Sequence, residues 1–266
     1  MRPEPSTATP EAYGTRGPLL NLAVARRTPV PTAPGTNRLG VAPPAPSAAS
    51  HAAPLRALAA AAATLLVLAS PAAAGPVVIA ALGDSLTQGY GVPEAEGFVP
   101  RLQAWLRDNG APDATIVNAG VSGDTTAGGL ARVDWTLTPD IDAVIVELGA
   151  NDLLRGVDPA ETRANLEGIL AAIGKRDLPV LLVGVPGIGN FGVEHRLAFD
   201  AIYTDLSAAH DTLLYPNFFA GIGDLADPGA ARPLMQPDMI HPNAAGVAAI
   251  VADIGPSVLD LVLTAQ

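Results

Sequence analysis

The chain has 266 residues, 49% of them apolar, so it is long and apolar enough to bury a sizeable core. It contains no cysteine, which excludes disulfides, thiolate nucleophiles and cysteine-ligated metal sites. Its net charge of −11 at neutral pH would repel phosphate backbones, which argues against nucleic acid as a partner.

The first 75 residues differ in composition from the rest. Residues 1–54 are rich in Pro, Ala and Thr without a hydrophobic period, which predicts a disordered leader. Residues 55–75 resemble a signal peptide, because Arg56 precedes an apolar stretch and small residues follow it to Ala74. That stretch, Ala57–Ala69, is shorter than the ~20 residues that span a bilayer, so a permanent transmembrane anchor is the weaker alternative.

The signal-like segment lies unusually far from the first residue, since signal peptides normally begin near the chain start. One hypothesis is that translation starts downstream, for example at the codon for Leu55. Loss of residues 1–75 would remove six arginines and two glutamates, leaving residues 76–266 with a net charge of −15. We expect residues 76–266 to form one folded domain that is periplasmic or secreted.

Five short apolar runs recur along residues 76–266 and predict strands. Continuous apolarity, rather than alternation, indicates a parallel sheet that is covered on both faces. The runs are Val77–Leu82, Ala114–Ala119, Ala143–Leu148, Pro179–Val185 and Thr212–Pro216.

Helical patterns lie between these runs. One of them places Phe98, Leu102 and Leu106 on a single face, and another begins with Asp158 as an N-cap. The alternation predicts a three-layer α/β/α fold around a parallel sheet of about five strands, in which ligands bind at the carboxyl ends of the strands. The helical segments are 97–110, 158–176, 194–210 and the residues after Pro242.

Four polar blocks follow predicted strands, and in chain order they read GDS, NAGVSGDTTAGG, GANDLLRG and QPDMIHPNAAG. Together these blocks resemble the SGNH, or GDSL, family of serine hydrolases. The resemblance covers nearly all of residues 76–266 and is closest to the secreted arylesterase, acyl-CoA thioesterase I and lysophospholipase branch. It implies a flavodoxin-like catalytic domain. The residues that match the four letters of the family name are Ser85, Gly120, Asn151 and His241.

The chemistry also follows from the residue types. A serine hydroxyl is a poor nucleophile at neutral pH and needs a base, for which histidine is suited. Asp238 precedes His241 by three positions, so a short turn can bring its carboxylate onto the imidazole. Taken alone, the same residues fit helix capping equally well, as Ser85 also does at the start of a helix.

Hydrolysis of an ester also requires donors for an oxyanion. The resemblance implies that these are the backbone N–H of Ser85, the backbone N–H of Gly120 and the side-chain amide of Asn151. For Asn151, a plain role as a turn residue is the alternative.

The loop from Gly184 to His195 borders the acyl groove in the family branch. Ile188, Asn190 and Phe191 are the substrate-binding residues that this implies, in a shallow apolar groove for short to medium acyl chains. The Gly/Pro pattern of this loop departs from the branch, so the preferred chain length stays open. The expected ligand is a small-molecule acyl ester or thioester, without a cofactor. Met235 and Met239 either line the groove or pack in the core.

Other functions remain as alternatives. Three acidic residues in the blocks, Asp84, Asp124 and Asp152, would suit a glycosidase, but we expect them to hydrogen-bond loop backbones. A carbohydrate O-acetyl esterase of the same family and a catalytically silent periplasmic binding protein also stay open. No metal site is expected, because no histidine pair has ligand spacing. We expect a monomer without a stable membrane anchor, and we expect His51, His195 and His210 to be solvated or core residues.

Overall fold

The computed structural model describes residues 76–187, 191–223 and 228–266. The predicted leader, the signal-like segment and two predicted substrate-binding residues, Ile188 and Asn190, lie outside the described residues.

A five-stranded parallel sheet forms the centre of the domain, as the apolar runs predicted. Its strands are β1 (Val78–Gly83), β2 (Thr115–Gly120), β3 (Ala143–Glu147), β4 (Val180–Val183) and β5 (Leu213–Tyr215), in the order β2-β1-β3-β4-β5. The strand limits differ from the predicted ones by at most two residues at either end. In the register, Gly83 of β1 pairs with Gly120 of β2 and with Glu147 of β3, so three strands end side by side.

Eight α-helices lie in the described part of the chain. Helices α2 and α8 pack together, and α3, α5 and α6 pack side by side. These two groups flank the sheet, which confirms the three-layer α/β/α prediction. The helices are α1 (Ser85–Gln88), α2 (Phe98–Asp108), α3 (Thr126–Thr136), α4 (Ala150–Arg155), α5 (Pro159–Gly174), α6 (Val193–His210), α7 (Pro228–Ala231) and α8 (Ala244–Thr264).

Capping residues set where the predicted helices begin. The Asp158 carboxylate accepts a hydrogen bond from the N–H of Ala160 at the start of α5, as predicted. Asn243 caps α8 through the N–H groups of Ala245 and Gly246. Helix α8 is long and apolar enough to cross a membrane, but its buried side chains belong to the core beneath the sheet.

Candidate active site

The first polar block makes a tight turn between β1 and α1. Asp84 is the N-cap of α1, and its Oδ1 accepts a hydrogen bond from the N–H of Leu86 at 2.9 Å. The capping role that the sequence left open for Ser85 is therefore filled by its neighbour. Gly83 is required at the turn, because a Cβ there would lie 2.0 Å from the Thr87 hydroxyl and 2.9 Å from the Glu147 carbonyl oxygen.

A second turn, before α8, carries Asp238 and His241. The Asp238 Oδ2 lies 2.7 Å from His241 Nδ1, and its Oδ1 accepts hydrogen bonds from the N–H groups of Ile240 and His241 at 3.0 Å each. On the other side of the ring, His241 Nε2 lies 2.9 Å from Ser85 Oγ. The structure thus brings Ser85, His241 and Asp238 into one hydrogen-bonded chain across 156 positions of sequence.

The hydrogen bonds of this turn also determine the charge of Asp238. Partial burial acts to raise the pKa of the Asp238 carboxyl, but the bond from His241 and the two backbone N–H bonds outweigh it and lower the pKa to about 2. The carboxylate is therefore ionised at neutral pH. It can hold the imidazole in the tautomer that presents an unprotonated Nε2 to the serine.

Asn151 lies in the first turn of α4, next to the nucleophile turn. Its Nδ2 donates a hydrogen bond to Asp84 Oδ2 at 3.1 Å. Because an amide nitrogen carries two hydrogens, the second N–H remains available for a ligand in the adjoining cavity, which Asn151 lines. The Asp84 carboxylate thus determines which end of the amide faces the cavity.

The geometry does not support Gly120 as an oxyanion donor, which corrects the prediction. The N–H of Gly120 donates to Asn118 Oδ1 at 3.0 Å, and Gly120 is not among the described residues that line the cavity. Gly123, three positions later in the same block, does line it. Its N–H has no partner among the described residues, and its φ of +79° is one that glycine adopts readily.

The cavity at Ser85 has a volume of about 390 Å³ and is mostly apolar. Its polar lining groups are few, which is the usual composition of a small-molecule site. The described lining residues are Ser85, Leu86, Tyr90, Ser122, Gly123, Ala150, Asn151, Leu153, Leu154, Val185, Pro186, Phe219, Met235, Met239, Ile240 and His241.

Comparison with known families agrees with this geometry. A model of the GDSL-like lipase/acylhydrolase family matches residues 81–249, a span that includes all of the site residues above. The chain belongs to this family. It is therefore an acylhydrolase, as the sequence predicted.

Individual relatives within the GDSL family are enzymes named for ester or thioester hydrolysis. The chain is 36% identical over 181 residues to esterase TesA of Pseudomonas aeruginosa, which covers 68% of this chain and 87% of that protein. It is 36% identical over 164 residues to thioesterase 1/protease 1/lysophospholipase L1 of Escherichia coli K12, covering 61% and 74%. Among solved structures, the SGNH-hydrolase esterase AlinE4 is 43% identical with a TM-score of 0.57, covering 70% of this chain and 96% of that one.

A buried carboxyl lies directly beneath the nucleophile turn of this GDSL domain. Glu147, the last residue of β3, is fully buried, and its Oε2 accepts a hydrogen bond from the Thr87 hydroxyl at 2.8 Å. Its Oε1 has no partner within the described residues. Burial raises the pKa of Glu147 well above its usual range, and the neighbouring Asp84 carboxyl adds to the rise. Sequence reasoning missed this residue, because it reads as the end of an apolar strand.

The predicted substrate-binding loop is only partly described. Phe191 lies against Gly156 and the His195 ring, and it is not among the described residues that line the cavity. Its role as a substrate-binding residue stays a prediction. Both methionines do line the cavity: Met235 is buried, whereas Met239 is partly exposed.

The remaining acidic residues of the blocks hold loops together, as predicted. Asp124 Oδ2 accepts a hydrogen bond from Arg132 Nε at 2.7 Å, and Asp152 accepts from both the N–H and the hydroxyl of Thr126. His195 lies in α6 beside the Val157 carbonyl. Among the described residues, no group of histidine and acidic side chains could hold a metal ion.

Proposed function

We propose that the protein is a serine esterase that hydrolyses short to medium acyl esters or thioesters through an acyl-enzyme on Ser85. The observation that carries the proposal is the hydrogen-bonded chain from Ser85 Oγ through the His241 ring to Asp238, at the floor of an apolar cavity. A hydroxyl, a base in contact with it and an acid that orients the base are the arrangement that activates serine for acyl transfer.

In the first half-reaction, Ser85 Oγ attacks the substrate carbonyl carbon while His241 Nε2 takes the hydroxyl proton. The C–O or C–S bond to the leaving group then breaks, and His241 returns the proton to the departing oxygen or sulfur. The charge that develops on the carbonyl oxygen needs donors at that position. The available donors are the N–H of Ser85, the N–H of Gly123 in place of Gly120, and Asn151 Nδ2.

In the second half-reaction, water replaces the leaving group. His241 takes a proton from the water, whose oxygen attacks the acyl carbon, and Ser85 leaves with the proton that His241 gives back. Asp238 stays ionised throughout, because its hydrogen bonds lower its pKa, and it stabilises the imidazolium. No step requires a metal or a cofactor.

The cavity lining favours acyl esters over the alternative substrates. A sugar O-acetyl esterase needs polar groups for the sugar hydroxyls, whereas the side chains around Ser85 are mostly apolar. A silent binding protein would not need a serine, a histidine and an aspartate in hydrogen-bond contact. By the signal-like segment at residues 55–75, we also propose that the enzyme acts in the periplasm or outside the cell. A monomer remains our expectation.

Labelling with a fluorophosphonate probe tests the proposal. Wild type should be labelled, Ser85→Ala should not, and Ser85→Ala should lose hydrolysis of p-nitrophenyl butanoate while its circular dichroism spectrum is unchanged. A panel of p-nitrophenyl esters from acetyl to palmitoyl, run beside an acetylated xylose, then distinguishes the acyl esterase from the sugar deacetylase. A folded wild-type protein that is neither labelled nor active would refute the enzyme.

A further inference from the structure

The proposed oxyanion site takes its donors from separate segments, and the following inference depends on that proposed function. Asn151 Nδ2 comes from α4, whereas the N–H of Gly123 comes from the loop between β2 and α3. Such donors act only when they lie about 2.7–3.1 Å from the place where the oxyanion forms. The two segments must therefore be held at a fixed separation.

Gly123 has little of its own to keep it in place. Its φ is +79°, and without a Cβ a glycine rotates into other conformations at little cost. Gly123 is also exposed, and a Cβ built on it would meet a single atom within 4 Å in the described part of the chain, Nη2 of Arg155 at 3.7 Å. The direction of the Gly123 N–H therefore depends on contacts from outside the residue, and Arg155 is the side chain next to it.

Arg155 donates a hydrogen bond to the residue that carries the oxyanion donor. Its Nη2 lies 2.8 Å from the carbonyl oxygen of Gly123. At the other end of the same peptide unit, the N–H of Asp124 donates to the Val121 carbonyl at 3.0 Å. The peptide unit that joins Gly123 to Asp124 is thus held at both of its polar ends. This limits the rotation of Gly123 and with it the direction of its N–H.

Helix α4 carries Asn151 and Arg155 on one face, because they are four positions apart. The helix is itself anchored to the start of α3, since the buried Asp152 carboxylate accepts hydrogen bonds from the N–H and the hydroxyl of Thr126. A single anchored element therefore supplies one oxyanion donor through Asn151 and holds the other through Arg155.

Arg155 uses its charge on a carbonyl oxygen rather than on a carboxylate. Residues 76–266 carry a net charge of −15, yet Arg155 forms no ion pair within residues 76–187, 191–223 and 228–266. A charged donor makes a stronger hydrogen bond than a neutral one, and the planar guanidinium fixes the direction of that bond. Both properties suit a side chain that holds a loop in one position.

We propose that Arg155 is a positioning residue, which holds the N–H of Gly123 at the separation from Asn151 Nδ2 that the oxyanion requires. Both half-reactions form an oxyanion, so loss of this contact lowers kcat whichever half-reaction is slower. The KM should change little, because the ground-state ester is bound mainly by the apolar lining of the cavity.

Substitutions of Arg155 test the proposal. Arg155→Met keeps an unbranched stem without the guanidinium, and Arg155→Gln shortens the side chain and removes its charge. Each should lower kcat for p-nitrophenyl butanoate about tenfold or more, since small displacements of catalytic groups have effects of this size, while KM stays within about twofold. Arg155→Lys, which keeps a charged donor, should recover part of kcat.

A transition-state analogue separates positioning of the donors from a general loss of structure. Butylboronic acid forms a tetrahedral adduct with a reactive serine and places an oxygen where the oxyanion would lie. Its affinity should fall in Arg155→Met and Arg155→Gln by about the same factor as kcat/KM.

Arg176→Met is the matched control. Arg176 likewise donates to loop carbonyls, those of Leu137 and Thr138, and none of these three residues lines the cavity. The control should leave kcat and the affinity for butylboronic acid as in wild type. Thermal unfolding should show that it and the Arg155 variants are folded at the assay temperature.

The inference and the proposed function can fail separately. Arg155 variants with the kcat of the Arg176 control, or with a lower kcat but unchanged affinity for butylboronic acid, would overturn the positioning role even if hydrolysis still depends on Ser85. Undiminished hydrolysis of p-nitrophenyl butanoate by Ser85→Ala would instead overturn the serine mechanism.

Discussion

Replacement of Asp84 by asparagine should reorient the side-chain amide of Asn151 while the protein stays folded. Asp84 is fully buried, caps α1 through Leu86 and accepts the amide of Asn151. Asparagine keeps the shape and one carbonyl oxygen for the cap, but it presents an NH₂ group to the NH₂ group of Asn151. Two donors cannot pair, so the Asn151 amide would turn its oxygen toward the cavity, where the oxyanion forms.

The substitution should lower kcat but raise the free energy of unfolding at neutral pH. Loss of one oxyanion donor lowers kcat by about 10²–10³-fold. Burial raises the pKa of Asp84 from its usual 3.8 to about 6, against the opposing bonds from Leu86 and Asn151. That rise corresponds to a cost of about 3 kcal/mol for ionising Asp84 in the folded state at pH 7. The folded protein binds the proton more tightly than the unfolded chain, so this cost is absent below about pH 4 and complete above about pH 6.

Urea unfolding of wild type and Asp84→Asn between pH 4 and pH 8, together with kcat for p-nitrophenyl butanoate, measures both effects. As pH rises through this window, the free energy of unfolding of wild type should fall by about 3 kcal/mol relative to the variant, whose side chain at position 84 cannot ionise. At pH 7.5 the variant should be folded and nearly inactive. A kcat within threefold of wild type, or a stability difference that does not depend on pH, would refute the reasoning.

Two further predictions concern the row of residues where the strands end. Gly120→Ala would place a Cβ 2.4 Å from the backbone nitrogen of Gln88 in α1, so it should cost about 1–3 kcal/mol of stability and lower kcat about 100-fold by moving the nucleophile. Gly174→Ala, whose Cβ would meet nothing within 4 Å, is the matched control, and equal losses in both would contradict the steric cause. Because the pKa of Glu147 is raised in the folded protein, its contribution to stability is complete below about pH 4.5 and is lost at higher pH. The melting temperature of Glu147→Gln should therefore increase relative to that of wild type as the pH increases. Thermal unfolding at pH 4 and pH 8 checks this, and a difference that is the same at both values would count against it.

The strands could be predicted from the sequence because each is a short, mostly apolar run, although the edge strand β2 leaves Thr115, Val117 and Asn118 exposed. Helices α5 and α8 could also be predicted from the sequence, since a capping residue and a long apolar face mark them. Helices α1, α3 and α4 were not predicted. The segments that form these helices are short or rich in polar residues and glycine. Their ends depend on caps such as Thr125, whose side chain accepts a hydrogen bond from the N–H of Gly128, and on contacts between the polar blocks.

The site residues likewise divide into those that could be predicted from the sequence and those that could not. Ser85, Asp238 and His241 have side chains whose chemistry is legible in the sequence, and the structure brings them together. Gly120 and Gly123 lie in one block, but only Gly123 lines the cavity and has a positive φ. This difference depends on the turn in which Asp124 N–H bonds to the Val121 carbonyl, and composition does not encode it. Tyr90 and Glu147 were missed because an aromatic residue in a loop and an acid at a strand end have no distinctive pattern.

Asp238 and His241 belong to one short segment, whereas their partner Ser85 comes from the other end of the domain. The base and the acid that orients it can therefore form as a pair before the rest of the centre exists, and a single docking event completes it. Loosening of that segment on heating would separate the imidazole from the alcohol while leaving the imidazole–carboxylate pair whole. We therefore expect activity to be lost on heating at temperatures below that of global unfolding.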